Sequence, residues 1–266
     1  MSLKLRLLYK LALIILRFSY GLILAGGVFP LLKLLCPASK DRCIRDEIKT
    51  HWLKLFGTIV NLHVTLEGEL PGPGTLLVSN HISWLDIIVI GQYVPAYFVA
   101  KSDILSWPVI GYLSKQGGSI FIRRGDKKHI KATSEKMVWV LKQNSTIIAF
   151  PEGTTTQGDE VLGFHASLFQ PALLTKAAIQ PVALQYQGAA KQQAPFIGDD
   201  DFIPHLIRML SLDKIDVRVC FLPVIKSSGR DRHSVSVEAR ETISSDIARG
   251  AGLDYSAHPQ INSSGL

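Results

Sequence analysis

The hydrophobic positions fall into two regimes. From Leu11 to Leu32 almost every position is apolar, and from Asp41 onward short apolar runs alternate with amphipathic stretches. The segment DRCIRDEIKTHWLKLFGTIV predicts an amphipathic helix, LHVTLEG alternates as a strand does, PGPG at 71–74 makes a turn, and TLLVS reads as a short buried strand. Ser83 stands as the N-cap of a helix through WLDIIVIGQ, with Asp86 at its third position. AYFVAK is a strand, SWPVIGYLSKQ a helix with proline near its start, and SIFI a strand. Residues 127–143 form a helix, STIIAF a strand ending at PEGT, and LFQPALLTKAAI a helix. QPVALQY and IDVRVCFLPVI are strands, and residues 234–249 close with a helix. Short apolar strands between helices imply an α/β fold: a single domain with a central, mostly buried sheet flanked by helices. No Pro/Gly/Ser linker divides it. The expected division is an N-terminal membrane-associated segment at 1–40, the main domain at 41–255 and a flexible tail at 256–266.

Composition sharpens the reading of the first segment. Of 266 residues only 19% are charged and 47% are hydrophobic, and mean hydropathy is +0.21, more apolar than a typical soluble enzyme. Net charge is +7. Before Asp41 the only charges are Lys4, Arg6, Lys10, Arg17, Lys33 and Lys40. Positive charge placed beside an apolar run fits a membrane surface, whereas a nucleic-acid binder would carry it as an aromatic-interleaved patch on the folded domain. Two placements stand. Leu11–Leu32 is long enough to cross ~30 Å of hydrocarbon as one tilted helix. Alternatively, because Arg17 interrupts the run, Gly26 and Gly27 weaken it and Pro30 kinks it, one or two helices lie half-sunk in one leaflet with lysines at the headgroups. A cleaved signal peptide fits less well, since no A-x-A site follows the run cleanly. The cysteines Cys36, Cys43 and Cys220 match no zinc or CxxC spacing and read as plain thiols of a reducing compartment.

Three stretches carry candidate chemistry. In VSNHISWLDIIVI, His81 lies on a strand-to-helix turn and Asp86 one turn into the helix. A carboxylate on one ring nitrogen fixes the tautomer and stabilises the imidazolium, leaving the other nitrogen to take a proton. No G-x-S-x-G elbow supplies a nucleophile. The attacking hydroxyl then belongs to the substrate, with His81 as general base; the bland alternative is a capped helix with a satisfied histidine. In GGSIFIRRGD, Arg123 and Arg124 end a strand and suit a phosphate or carboxylate, or else form a solvated basic edge. In IIAFPEGTTT, Glu152 follows a strand C-terminus, where α/β folds place functional groups. It either binds a substrate hydroxyl or holds Arg124, and a structural Glu–Arg pair at a turn is compatible with both. His81 and Asp86 have no further metal ligands at credible spacing, so no metal is expected.

NHISWLD matches N-H-x-x-x-x-D, GSIFIRR resembles G-x-x-F-I-x-R, FPEGT matches a third block and IQPVALQY a fourth. In this order and spacing, over roughly residues 55–225, the chain resembles the glycerolipid acyltransferases, specifically the 1-acyl-glycerol-3-phosphate acyltransferases of phospholipid synthesis. The resemblance implies that His81 is the base and Asp86 its partner. Arg124 and the block Glu152, Gly153 and Thr154 would bind the lysolipid, the arginine meeting its phosphate. It also implies an apolar N-terminal element that docks on the bilayer. The chain departs from the family pattern at Thr155, where an arginine usually follows FPEGT, and at Arg123, where an aspartate is frequent and a second cation would compensate. PEGTTTQGDEVLGFHASLF is similar to the branch that acylates lyso-ornithine lipid, a phosphate-free acceptor, and there His165 and Ser167 read as pocket-shaping.

The expected function is membrane-bound transfer of a fatty acyl group, from a thioester on coenzyme A or acyl carrier protein, to the free hydroxyl of 1-acyl-glycerol-3-phosphate. The product would be phosphatidic acid; lyso-ornithine lipid is the alternative acceptor. No bound cofactor is required. A backbone N–H near Lys101 would steady the oxyanion. The expected partners are the bilayer, the lysolipid and the acyl carrier, with no nucleic acid. The expected location is a bacterial inner membrane with the catalytic domain on the cytoplasmic side. Two rivals are a hydrolase that uses water as acceptor and a non-catalytic lipid-binding protein.

Overall fold

The computed structural model describes residues 3–123 and 127–251. Helix α1 (Leu3–Ile23) runs through a π-helical turn at Leu24–Val28 into α2 (Phe29–Leu35), and α3 (Ala38–Val60) follows. Then come β1 (Leu62–Gly68), β2 (Leu76–Ser79), α4 (Leu85–Gly91), β3 (Ala96–Lys101), α5 (Ile110–Gln116) and β4 (Ile120–Ile122). The second half comprises α6 (Lys127–Lys142), β5 (Thr146–Ala149), α7 (Gln170–Thr175), β6 (Ile179–Gln187), α8 (Ala189–Gln193), α9 (Phe202–Ser211), β7 (Ile215–Phe221) and α10 (Arg232–Ala251).

The strands form one seven-stranded sheet in the order β1-β7-β6-β2-β5-β3-β4. All neighbours are parallel except β6 and β7. Successive side chains of a strand point to opposite faces, and here both faces are covered. Leu77, Ile148, Val182 and Leu184 pack on one side with Phe56, Leu85, Val89, Leu206 and Met209. Leu76, Val78, Ile147 and Ala149 pack on the other with Met137, Val140, Phe169, Ala172, Val235 and Ala239. A sheet buried on both faces needs apolar residues at every position, which is why its central strands read as continuous apolar runs. β2 and β5 are parallel neighbours, so the loops after both leave at the same sheet edge, and that edge carries the site.

The α1 helix is not a free anchor. Lys10, Ile14, Arg17 and Gly21 are its buried residues, spaced so that one stripe faces the domain. Lys10 Nζ donates to the carbonyls of Leu210 and Leu212 at 3.2 Å each. Arg17 donates to the carbonyls of Trp52 (3.2 Å) and His51 (3.3 Å), and Trp52 Nε1 donates back to the Arg17 carbonyl at 3.2 Å. The opposite face exposes Leu5, Leu8, Ile15, Leu16 and Ile23, and α2 exposes Leu31, Leu34 and Leu35. Leu3–Leu35 is long and apolar enough to cross a membrane by length and composition, and this face is consistent with membrane association.

Several local expectations shift. Ser83 does not cap α4; the residue before the helix is Trp84, without a side-chain cap. Asp86 is the second residue of the helix rather than the third, and its carboxylate accepts from the backbone N–H groups of Ile82 and Ser83 in the turn before it. The helix expected from Ser106 begins only at Ile110, because Val109 sits at φ 64°, ψ −59°. There Ile110 N donates to Pro108 O at 2.6 Å, the tight γ-turn that a left-handed valine makes. The helix expected over 168–179 stops at Thr175, where Lys176 adopts a left-handed conformation. Helices α8 and α9 were not anticipated. The tail lies outside the described residues.

Candidate active site

Asn80 leaves β2 and stays tied to the sheet. Its side-chain amide donates to the Leu184 carbonyl at 2.9 Å and accepts from the Leu184 N–H at 2.8 Å, prolonging the pairing with β6 by a side chain. The chain then turns, and His81 Nδ1 meets Asp86 Oδ2 at 2.8 Å. The same oxygen accepts from Ile82 N (2.8 Å) and Ser83 N (3.0 Å), and Oδ1 accepts from Tyr186 Oη at 2.8 Å. Asp86 is fully buried, so these donors replace the water that its charge gives up. Burial, and then the charge of Asp86, push the Tyr186 hydroxyl well above its ordinary range, so it remains a protonated donor. The imidazole stacks on Phe150, centroids 4.1 Å apart and planes at 17°. With Nδ1 engaged, Nε2 is the nitrogen left for a reacting proton.

Glu152 supports this turn from below. Oε1 accepts from the backbone N–H of His81 at 2.8 Å and Oε2 from that of Leu162 at 3.0 Å. The residue is buried. Burial raises its carboxyl above the usual range, opposed by those two backbone donors. Both oxygens of the expected substrate ligand are thus occupied by the scaffold. Thr156 N donates to the His81 carbonyl at 2.9 Å, so the PEGT turn and the histidine turn hold each other. Gly153 permits this with φ 75°.

A cavity of about 950 Å³ opens at His81. Gly153, Thr154, Thr155, His165 and Ser167 line it near the turn, and Gly21, Leu24, Phe29, Trp52, Phe56 and Phe98 give it an apolar wall shared by α1, α2, α3 and β3. Lys101 also lines it and pairs with Asp103 at 2.8 Å, both well exposed. Asp103 is held below the ordinary carboxylate range, first by Lys101 and to a smaller degree by Arg123, so three charges share this rim. Arg123 is exposed, and Arg124 lies outside the described residues. Among the described residues no group of three or more His, Cys, Asp or Glu side chains could hold a metal.

Residues 61–185 match the family model described as Acyltransferase. Over 90% of this chain and 93% of the relative, the sequence is 34% identical to a lyso-ornithine lipid O-acyltransferase of Pseudomonas aeruginosa. The chain belongs to the acyltransferase family. This acyltransferase is also 30% identical to a 1-acyl-sn-glycerol-3-phosphate acyltransferase of Neisseria meningitidis, over 82% of the chain and 86% of that protein. Its fold matches the crystal structure of the 1-acyl-sn-glycerophosphate acyltransferase PlsC from Thermotoga maritima, with a TM-score of 0.69 at 19% identity, covering 97% of this chain and all of that one.

Of the residues singled out in the acyltransferase sequence, His81, Lys101, Gly153 and Thr154 line the cavity, with His165 and Ser167. Asp86 and Glu152 lie behind it, within hydrogen-bond distance of His81. Phe150 and Tyr186 were missed. Phe150 stood in sight as the last residue of STIIAF, but Tyr186 lies 100 positions from its partner and carried no local signal. Thr155, in place of the usual arginine, does not offer its hydroxyl to the cavity: Oγ1 donates to the Phe196 carbonyl, and Phe196 N donates to Ile82 O at 2.9 Å.

Proposed function

We propose that the acyltransferase moves a fatty acyl group from a thioester carrier to the free hydroxyl of a lysolipid held in the bilayer. The observation that carries this reading is the His81–Asp86 pair, with its free Nε2, at the mouth of an apolar cavity walled by the N-terminal helices. His81 Nε2 takes the hydroxyl proton as the oxygen bonds to the thioester carbonyl carbon. The carbon–sulfur bond then breaks, and the imidazolium returns the proton to the departing thiolate. Asp86 carries the complementary charge throughout. Each methylene of an acyl chain removed from water contributes ~0.8 kcal/mol, so the cavity wall supplies affinity independent of the head group. The exposed face of α1 and α2 rests in one leaflet, on the cytoplasmic side of a bacterial inner membrane, and the carrier (coenzyme A or acyl carrier protein) arrives from the aqueous side.

For the acceptor, lyso-ornithine lipid is the first reading. Thr155 supplies no cation where a phosphate ligand is usual, and its hydroxyl is spent on Phe196. The Lys101–Asp103 pair at the rim complements a zwitterionic head group. Lysophosphatidic acid is the second reading, favoured by the two consecutive arginines at 123 and 124 in the sequence and by the Neisseria relative. Competition between the two lysolipids for one radiolabelled acyl thioester decides: preferential acylation of lyso-ornithine lipid is expected, and a preference for lysophosphatidic acid overturns the first reading.

A further inference from the structure

We propose that Tyr186 is a positioning residue that sets the basicity of His81 through Asp86, an inference that rests on His81 being the base. The geometry is a line of three side chains from three elements. Tyr186 stands on β6, Asp86 on the first turn of α4 and His81 on the turn after β2. Tyr186 Oη donates to Asp86 Oδ1 at 2.8 Å, and Asp86 Oδ2 faces His81 Nδ1 at 2.8 Å. The two carboxylate oxygens are unequally served. Oδ2 has the imidazole and two backbone N–H groups, which the turn fixes in any variant that folds. Oδ1 is given one donor, the phenol. Tyr186 and Asp86 are both buried, so water does not readily take the place of a lost phenol.

The electrostatic consequence has a definite sign. A hydroxyl that donates to a carboxylate draws negative charge towards itself and weakens the hold of that carboxylate on a neighbouring cation. Tyr186 therefore keeps the imidazolium of His81 less stable than Asp86 alone would make it. The phenol also fixes the carboxylate plane so that Oδ2 points at Nδ1. The other titratable group against the pair is Glu152, from the turn after β5, through the His81 N–H. It is retained in every variant below, so its influence is constant.

The test is the pH profile of kcat/KM for acyl transfer in membranes, comparing the wild type with Tyr186→Phe, which keeps the ring and removes only the donor. The acid limb is expected to move up by about one pH unit, with KM for the lysolipid unchanged. Replacing Tyr186 by 3-fluorotyrosine, a stronger donor, moves the limb in the opposite direction and covers the case in which the phenylalanine variant folds poorly. In an Asp86→Asn background, Tyr186→Phe is expected to move the limb little, because the charge it acts on is gone. Limbs that coincide in all Tyr186 variants, or an equal shift with and without Asp86, overturn the proposal and leave Tyr186 as packing. His81→Ala, run alongside, separates the two levels: transfer surviving that change removes the base itself, whereas transfer lost in it with unmoved limbs refutes only the role of Tyr186.

Discussion

Replacing Asp86 by asparagine removes one charge and almost no volume from the centre of the site. The asparagine carbonyl can stand where Oδ2 stands and still accept from Ile82 N and Ser83 N, so the turn before α4 is expected to persist. The side-chain NH2 then faces Tyr186, whose hydroxyl can rotate to accept. What is lost is the attraction between a carboxylate and the imidazolium that forms as His81 takes the hydroxyl proton. At about 4 Å between charge centres and the effective dielectric of a partly buried site, that attraction is worth about 4 kcal/mol. At 1.36 kcal/mol per decade it corresponds to a fall of about a thousandfold in kcat. The assay is thioester consumption coupled to diacyl product, on protein shown by circular dichroism to melt within a few degrees of the wild type. KM for the lysolipid should hardly move, since Asp86 is sealed from the cavity. A folded Asp86→Asn enzyme that keeps more than a tenth of wild-type kcat would refute the reasoning.

Three further outcomes follow from the same contacts. Glu152→Gln leaves one of the two backbone N–H donors facing an amide NH2, so a loss of about 1–3 kcal/mol is expected in thermal or denaturant unfolding. The Glu152 carboxyl is raised in the fold by burial, so its contribution is greatest below the ordinary glutamate value of about 4.3 and declines as pH rises through the raised value. The wild type should show that decline, and Glu152→Gln should lack it; identical slopes would contradict the burial argument. Gly158 has φ 86°, and a Cβ there would lie 2.6 Å from Ile82 Cδ1, so Gly158→Ala should cost about 1–3 kcal/mol and lower kcat by displacing the residue beside His81, which an unchanged melting point would disprove. Arg17→Leu makes α1 more apolar yet removes its bonds to the carbonyls of His51 and Trp52; a helix docked on the domain then loses about 1–3 kcal/mol of stability, while a simple anchor loses none.

The central strands were legible because burial on both faces leaves a continuous apolar run, as in β2 and β5, buried at every position, while the half-exposed β1 showed itself by the alternation of LHVTLEG. The α9 helix was missed, although Pro204 does not oppose it: the proline stands in the first turn after Asp201, where its absent N–H costs nothing. The pairing of His81 and Asp86 was legible because a short turn into the start of α4 joins them. The surroundings were not. Glu152 was expected to face substrate or an arginine, and its partners are backbone N–H groups of residues 81 and 162, which every sequence possesses. Arg17 looked like an interruption of an apolar run, when its role is to bond the first helix to the third. Contacts to backbone, and contacts between strands far apart in sequence, leave no pattern in residue identity.

The central claim is that His81 activates a lipid hydroxyl rather than water. The most direct test is to incubate membranes carrying the wild type or His81→Ala with a labelled acyl thioester and a lysolipid, and to separate diacylated lipid from free fatty acid. Label entering the diacylated lipid with the wild type, and in neither product above background with His81→Ala, is the predicted result. Label released as free fatty acid by the wild type, or lipid acylation that persists in His81→Ala, would contradict the account.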